Sequence, residues 1–182
     1  MPKNRTTPLG KVLSTGLSPL KPFIVFLDFD GVLNSREFFT NRRDPAAEDW
    51  SADIDPCAVG YLNELLGENG RVVVSSTWRY THNQEELEAL LREHGFKGKI
   101  IGATPDLQNT PGARRGDEIE AWLQSYCQSQ SLNSKSLPYV ILDDCADFLP
   151  HQVQHVFLTD NKVGRTKELC QRAKSFLREE WS

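Results

Sequence analysis

Five short apolar runs, at residues 23–27, 72–74, 99–101, 139–142 and 155–158, divide the chain, and most are separated by stretches with helical periodicity. Runs this brief, several of them rich in Val and Ile, suit parallel strands covered on both faces. Asp55 followed by Pro56 starts one helix, whose Val59, Leu62, Leu65 and Leu66 form a single apolar stripe. Asn83 with Glu86 reads as a capping box for a second helix, with Leu87, Leu90 and Leu91 inward and Gly95 as its stop. A third helix carries Ile119, Trp122, Leu123 and Tyr126 at i, i+3, i+4 and i+7. After the polar loop "QSQSLNSKSLP", a last helix turns Leu169, Ala173, Phe176 and Leu177 inward. Strand and helix alternating in this way predict an α/β fold, a doubly wound, Rossmann-like parallel sheet of about five strands with right-handed crossovers.

A chain of 182 residues suits one such domain. Residues 1–22 stand apart: they carry Lys3, Arg5, Lys11 and Lys21 with no acid and are broken by Pro2, Pro8, Pro19 and Pro22. They read as a flexible basic tail ahead of a domain over residues 23–182. An organelle transit peptide is the competing reading, but the prolines interrupt the amphipathic helix it needs. The body keeps 17 basic against 25 acidic residues, a balance without the electrostatic footprint of bulk nucleic-acid binding. No apolar run is long enough to span a bilayer, so no membrane partner is expected. Four cysteines without a C-x-x-C pair, and no N-terminal apolar segment of secretory length, fit a reducing, cytoplasmic setting.

The first apolar run ends abruptly in charge: "FIVFLDFDGVLNS" places Asp28 at the strand end, Asp30 two residues on and Gly31 behind it. "YVILDDCADFL" repeats the device with Asp143 and Asp144. In doubly wound sheets, ligands bind beyond the carboxyl ends of the strands, where strand order reverses. If these two strands are neighbours, three or four carboxylates converge. Unit charges about 4 Å apart repel by about 4 kcal/mol at an effective dielectric near 20, so some must protonate or a cation must join them. Hard carboxylate and carbonyl oxygens suit Mg²⁺, with water and substrate phosphate filling its remaining positions. A helix-loop-helix calcium loop counted from Asp28 wants Gly and Glu where the chain has Leu33 and Phe39.

Four segments in order, "FLDFDGVLN", "VVVSSTWR", "ARRGDEI" and "VILDDCAD", resemble the motifs of the haloacid dehalogenase (HAD) superfamily of phosphotransferases. Within it, "DFDGVLN", "SSTWR", "RRGDEIEAWL" and "LTDNKVGRT" are most similar to the small HAD domains of bacterial Swiss-army-knife RNA repair proteins. The resemblance implies a Mg²⁺-dependent phosphomonoester hydrolase. Asp28 is then the nucleophile that forms an aspartyl-phosphate, and Asp30 the general acid and base, a residue the superfamily's dehalogenases lack. Ser75 donates to a phosphoryl oxygen, with Ser76 or Thr77 in its place if the strand register is shifted. Arg115 is the cation facing phosphate and Asp28, where the family more often has Lys. Arg114 is the alternative, and Lys97 and Lys99 are worse placed. The implied metal site is Asp28, the main-chain carbonyl of Asp30, and the pair Asp143 and Asp144, with Asp143 bound directly and Asp144 directly or through water.

Relatives acting on small metabolites often insert a cap domain. Here the first insertion point leaves only "GVLNSREFFTNRRDPAAEDWSADI", a flap, and the second, residues 102–114, is shorter still. An uncovered crevice admits a phosphorylated macromolecule, such as a nucleic-acid 3′-phosphate end or a phosphoprotein, although a partner subunit could also close it over a small molecule. A small nucleotide or sugar phosphate is the alternative substrate, and a non-catalytic phosphate-binding module the alternative class. Trp78 and Arg79 are candidates to rim the site, with Trp78 either packing or stacking on a base. Thr159 and Asp160 are secondary rim candidates. Arg36, Arg42 and Arg43 in the flap are candidates to meet phosphates. His82, His94, His151 and His155 form no metal-ligand pattern. Oligomeric state is not legible.

Overall fold

A computed structural model describes residues 20–42, 54–133, 136–164 and 167–181. Apart from residues 20–22, the expected basic tail lies outside the described residues, as do Arg43 and most of the second half of the flap. Five parallel strands form one sheet: β1 (Phe23–Leu27), β2 (Gly70–Val74), β3 (Ile100–Ala103), β4 (Tyr139–Asp143) and β5 (Val156–Leu158), in the order β3-β2-β1-β4-β5. The chain therefore builds outward from β1 to β3, then returns to the other side of β1 for β4. That reversal between β1 and β4 is the topological switch point.

Alternation along the central strands decides which side chain enters which core. Phe23, Val25 and Leu27 of β1, with Val72, Val74, Val140 and Leu142, face one layer. That layer is α2 (Pro56–Leu66), α3 (Gln84–Glu93) and α5 (Lys167–Trp181), through Leu62, Leu66, Leu87, Leu91, Leu169, Ala173 and Leu177. Ile24, Phe26, Val73 and Ile141 face the other layer, where α4 (Arg115–Ser129) supplies Ile119, Leu123 and Cys127. Each fully buried aliphatic or aromatic side chain contributes roughly 1.5–3 kcal/mol, so the central strands are held from both faces, as their unbroken apolar runs require.

The predicted caps form. Asp55 accepts from the Cys57 N–H (2.8 Å) ahead of Pro56, and Asn83 and Glu86 close a reciprocal capping box. Some details differ from expectation. β3 runs over Ile100–Ala103 rather than residues 99–101. β2 begins at Gly70, two residues early. His155 belongs to a short 3₁₀ turn before β5, where its ring stacks on Tyr139 at 4.1 Å. The flap contains a seven-residue helix, α1 (Arg36–Arg42), started by Ser35 Oγ, which accepts from the Phe38 N–H (3.1 Å). Its first turn is tied to the loop after β5 by the N–H groups of Arg36 and Glu37, which donate to the carbonyls of Asn161 and Lys162. Among the described residues no second domain stands over the sheet, and no helix is long and apolar enough to cross a membrane.

Candidate active site

β1 and β4 pair in parallel up to Leu27 and Leu142, and the Asp28 N–H continues the ladder to the Leu142 carbonyl (2.9 Å). Asp28 and Asp143 are thus delivered side by side at the switch point, both almost fully buried. Arg115, the first residue of α4, enters between them. Its Nη1 lies 2.8 Å from Asp28 Oδ2 and 2.7 Å from Asp143 Oδ2, and donates to the Ser75 carbonyl at 2.7 Å. The ends of β1, β2 and β4 are joined through one guanidinium.

The helix start that carries Arg115 is packed close. A Cβ on Gly116 would come within 2.6 Å of the Leu149 N and of Gln152 Oε1. The Gly116 N–H donates to the Asp147 carbonyl (3.0 Å), and Gln152 Nε2 donates to the Gly116 carbonyl (2.9 Å). Arg114, one residue earlier, is turned outward into an ion pair with Asp117 (3.4 Å) at the helix cap. Of the two arginines the sequence offered, only Arg115 meets the carboxylates. Lys97 and Lys99 are exposed before β3, at the amino end of the sheet, opposite the site.

Two buried carboxylates sharing one cation leave negative charge in surplus. Burial, and then the Asp28 charge, push the Asp143 carboxyl up to about 7. Burial also raises Asp28, opposed by Arg115, a hydrogen bond from Ser76 and the Phe29 N–H, which donates to Oδ1 (2.8 Å). Arg115 is desolvated too, yet Asp28 and Asp143 outweigh that and hold it firmly protonated.

Around this centre stand the other expected residues. Asp144 is half-buried, and ligand atoms of Asp143, Asp144 and Cys145 lie within 4.8 Å of one another. Gly31, at φ +69°, admits Asp144 against the loop: a Cβ there would collide with the Asp144 carboxylate. Cys145 donates its N–H to Asp143 (2.9 Å) and its thiol to Asp144 (3.3 Å). Ser75 has its N–H in the ladder to Leu27 (2.9 Å), so that N–H is not available to a ligand, and its hydroxyl is buried without a partner. Ser76, whose hydroxyl meets Asp28, is the serine in contact with the expected nucleophile. The carboxylate and carbonyl oxygens here fit a hard divalent cation such as Mg²⁺: the charge surplus on Asp28 and Asp143 is of the sign one would relieve.

Asp30 is exposed on the loop after β1, and both its oxygens are held. Asn34 Nδ2 donates to Oδ1 (3.1 Å) and Trp78 Nε1 to Oδ2 (2.9 Å). Sequence reasoning did not find this role for Trp78 or Asn34. The available signal was that an indole N–H beside a crevice wants an acceptor. Arg79 proves to be a clamp rather than a rim residue. It donates to the Ser76 carbonyl (2.6 Å) and pairs with buried Glu118 of α4 (2.6 Å), which also accepts from the Leu107 N–H (3.2 Å). Thr159 donates its hydroxyl to the Gly31 carbonyl (2.8 Å), bracing the loop under Asp30, while Asp160 closes its own turn by accepting from the Lys162 N–H (2.8 Å). Arg36 is exposed on α1. None of the four histidines joins the acidic group.

A model of the family described as HAD domain in Swiss Army Knife RNA repair proteins matches residues 24–170. No curated protein and no solved structure matches the chain significantly. The match runs from β1 into α5 and includes every carboxylate, serine and arginine described above, and with the five-stranded parallel sheet it places the chain in that family of HAD domains.

Proposed function

We propose that this protein is a Mg²⁺-dependent phosphomonoester hydrolase that works through an aspartyl-phosphate on Asp28. Family membership supports a phosphatase-type hydrolase. The observation that carries the finer reading is the meeting of Asp28 and Asp143 on Arg115 at the ends of adjacent strands. Asp28 Oδ1 is fixed by the Phe29 N–H, and Arg115 and Ser76 favour its ionised, nucleophilic form against the cost of burial. In the first step an Asp28 oxygen bonds to phosphorus, the ester P–O bond breaks, and the Asp30 carboxyl gives its proton to the leaving oxygen. In the second step Asp30 takes a proton from water, the water oxygen attacks phosphorus, and Asp28 is released with inorganic phosphate. Arg115 screens the charge of the phosphoryl oxygens, with a planar fork of donors that is more directional than a lysine ammonium. The Asp28 and Asp143 side chains, the Asp30 carbonyl and Asp144 would hold the Mg²⁺, which supplies positive charge to the transferring phosphoryl group when bound.

The substrate we propose is a phosphorylated macromolecular end, such as a nucleic-acid 3′-phosphate, in a cytoplasmic setting. The support is the small cover: among the described residues the insertion after β1 contributes only α1. Hydrolysis of an aryl phosphate with Mg²⁺ and with EDTA, wild type beside Asp28→Asn, tests the chemistry. Mg²⁺-dependent turnover lost in the variant is expected, and equal trace rates throughout refute it. Competing a 3′-phosphorylated oligonucleotide against mononucleotides tests the substrate: preference for the mononucleotide favours the small-molecule alternative.

A further inference from the structure

The general acid of a phosphoryl transfer must present its proton along one direction, yet Asp30 is exposed on a loop, where a carboxyl group rotates freely unless it is held. Here it is held at both ends. Asn34 is buried and itself fixed, because its Oδ1 accepts from the Gly31 N–H (2.9 Å) while its Nδ2 reaches Asp30 Oδ1. The second hold comes from 48 residues away: the indole N–H of Trp78 meets Asp30 Oδ2 at 2.9 Å. An indole is a donor only, so it orients the carboxyl without competing for the proton. Trp78 is anchored in turn. It lies on a short 3₁₀ helix capped by Ser76, and its ring packs on Phe29 (5.3 Å) and His82 (5.9 Å). With its N–H engaged and its ring packed, Trp78 is placed to serve Asp30 rather than to offer a platform for a base.

We propose that Trp78 is the positioning residue for the proton transfer, acting through Asp30 together with Asn34. When the ester P–O bond breaks and the proton passes from Asp30 to the leaving oxygen, the carboxylate left behind accepts from both neutral donors. The inference rests on the reading of Asp30 as general acid given above.

The test compares Trp78→Phe with wild type on a simple alkyl phosphate and on p-nitrophenyl phosphate, with Mg²⁺, by kcat/KM. That quantity covers the steps through departure of the leaving group and excludes hydrolysis of the phosphoenzyme. An alkoxide needs a proton to leave and p-nitrophenolate hardly does. A hydrogen bond to a charged group is worth about 1.5–3 kcal/mol, so the alkyl ester should lose roughly 10–100-fold, at least about ten times more than the aryl ester. In an Asp30→Asn background the same change should remove little more from the alkyl rate. An undiminished alkyl rate, or equal loss on both esters, overturns the proposal. If Trp78→Phe does not fold, Asn34→Asp keeps the acceptor for Gly31, removes the Nδ2 donor, and should show the same dependence on leaving group; equal loss on both esters there also overturns it. A wild type silent toward both esters brings down the hydrolase reading itself, and this inference with it.

Discussion

Arg115 and Glu118 lie within one turn of each other on α4, and each is the centre of a buried ionic group, but the two groups balance their charge differently. Glu118 meets a single cation, Arg79, at 2.6 Å, with the Leu107 N–H as a further donor. Arg115 meets two carboxylates, Asp28 and Asp143, and burial, with the Asp28 charge added to it, pushes the Asp143 carboxyl up to about 7. The matched pair clamps the chain after β2 onto α4. The mismatched group holds negative charge ready for a ligand that brings positive charge. Surplus charge, rather than burial or ion pairing alone, separates the functional group from the structural one.

Substitution at Asp28, the proposed nucleophile, should split the two groups most sharply. Asp28→Asn is expected to lower turnover on the order of 10³-fold or more while leaving the melting temperature of the metal-free protein unchanged or higher, because it removes one of two repelling carboxylates. Thermal unfolding beside the activity assay checks both halves, and a folded variant with full activity would break the comparison.

The matched pair should behave in the opposite way. Removing one partner of a buried ion pair strands the other charge, at a cost of about 3–5 kcal/mol. Arg79→Met is therefore expected to lower Tm by roughly 10 °C, read by calorimetry. A loss near zero would show that the clamp is not structural.

A third test uses pH. The Asp143 and Asp28 carboxyls are both raised on folding, so the folded protein binds protons more tightly than the unfolded chain. The stability this confers is present in full below about pH 4 and is lost as pH rises through about 7. In EDTA the protein should melt several degrees lower at pH 8 than at pH 5, Asp143→Asn should flatten that slope, and Mg²⁺ should restore stability at pH 8. The smallest effect belongs to Arg114, whose exposed pair with Asp117 is worth under about 1 kcal/mol. Arg114→Ala should leave turnover near wild type, whereas Arg115→Ala should not.

The division between legible and hidden features follows interaction range. Strand runs, the Asp55 and Asn83 caps and the acids closing β1 and β4 are local patterns, and the sequence displays them directly. The five-strand sheet follows from their alternation. The adjacent Arg114 and Arg115 are chemically identical, and only the phase of α4, fixed where Gly116 packs against the Phe148–Leu149 backbone, separates them. Ser75 and Ser76 differ in the same way, through alternation at the end of β2. Trp78 with Asp30 and Arg79 with Glu118 join segments 48 and 39 residues apart, and no local periodicity encodes such pairs. The helix α1 was hidden because its start depends on contacts with the loop after β5.

The stereochemical course at phosphorus tests the central claim most directly. A phosphorothioate monoester made chiral with oxygen isotopes is hydrolysed in isotopically labelled water, and the configuration of the released thiophosphate is determined. Two in-line displacements, first by Asp28 and then by water, predict retention. Inversion, the result of a single direct attack by water, would contradict a covalent intermediate on Asp28.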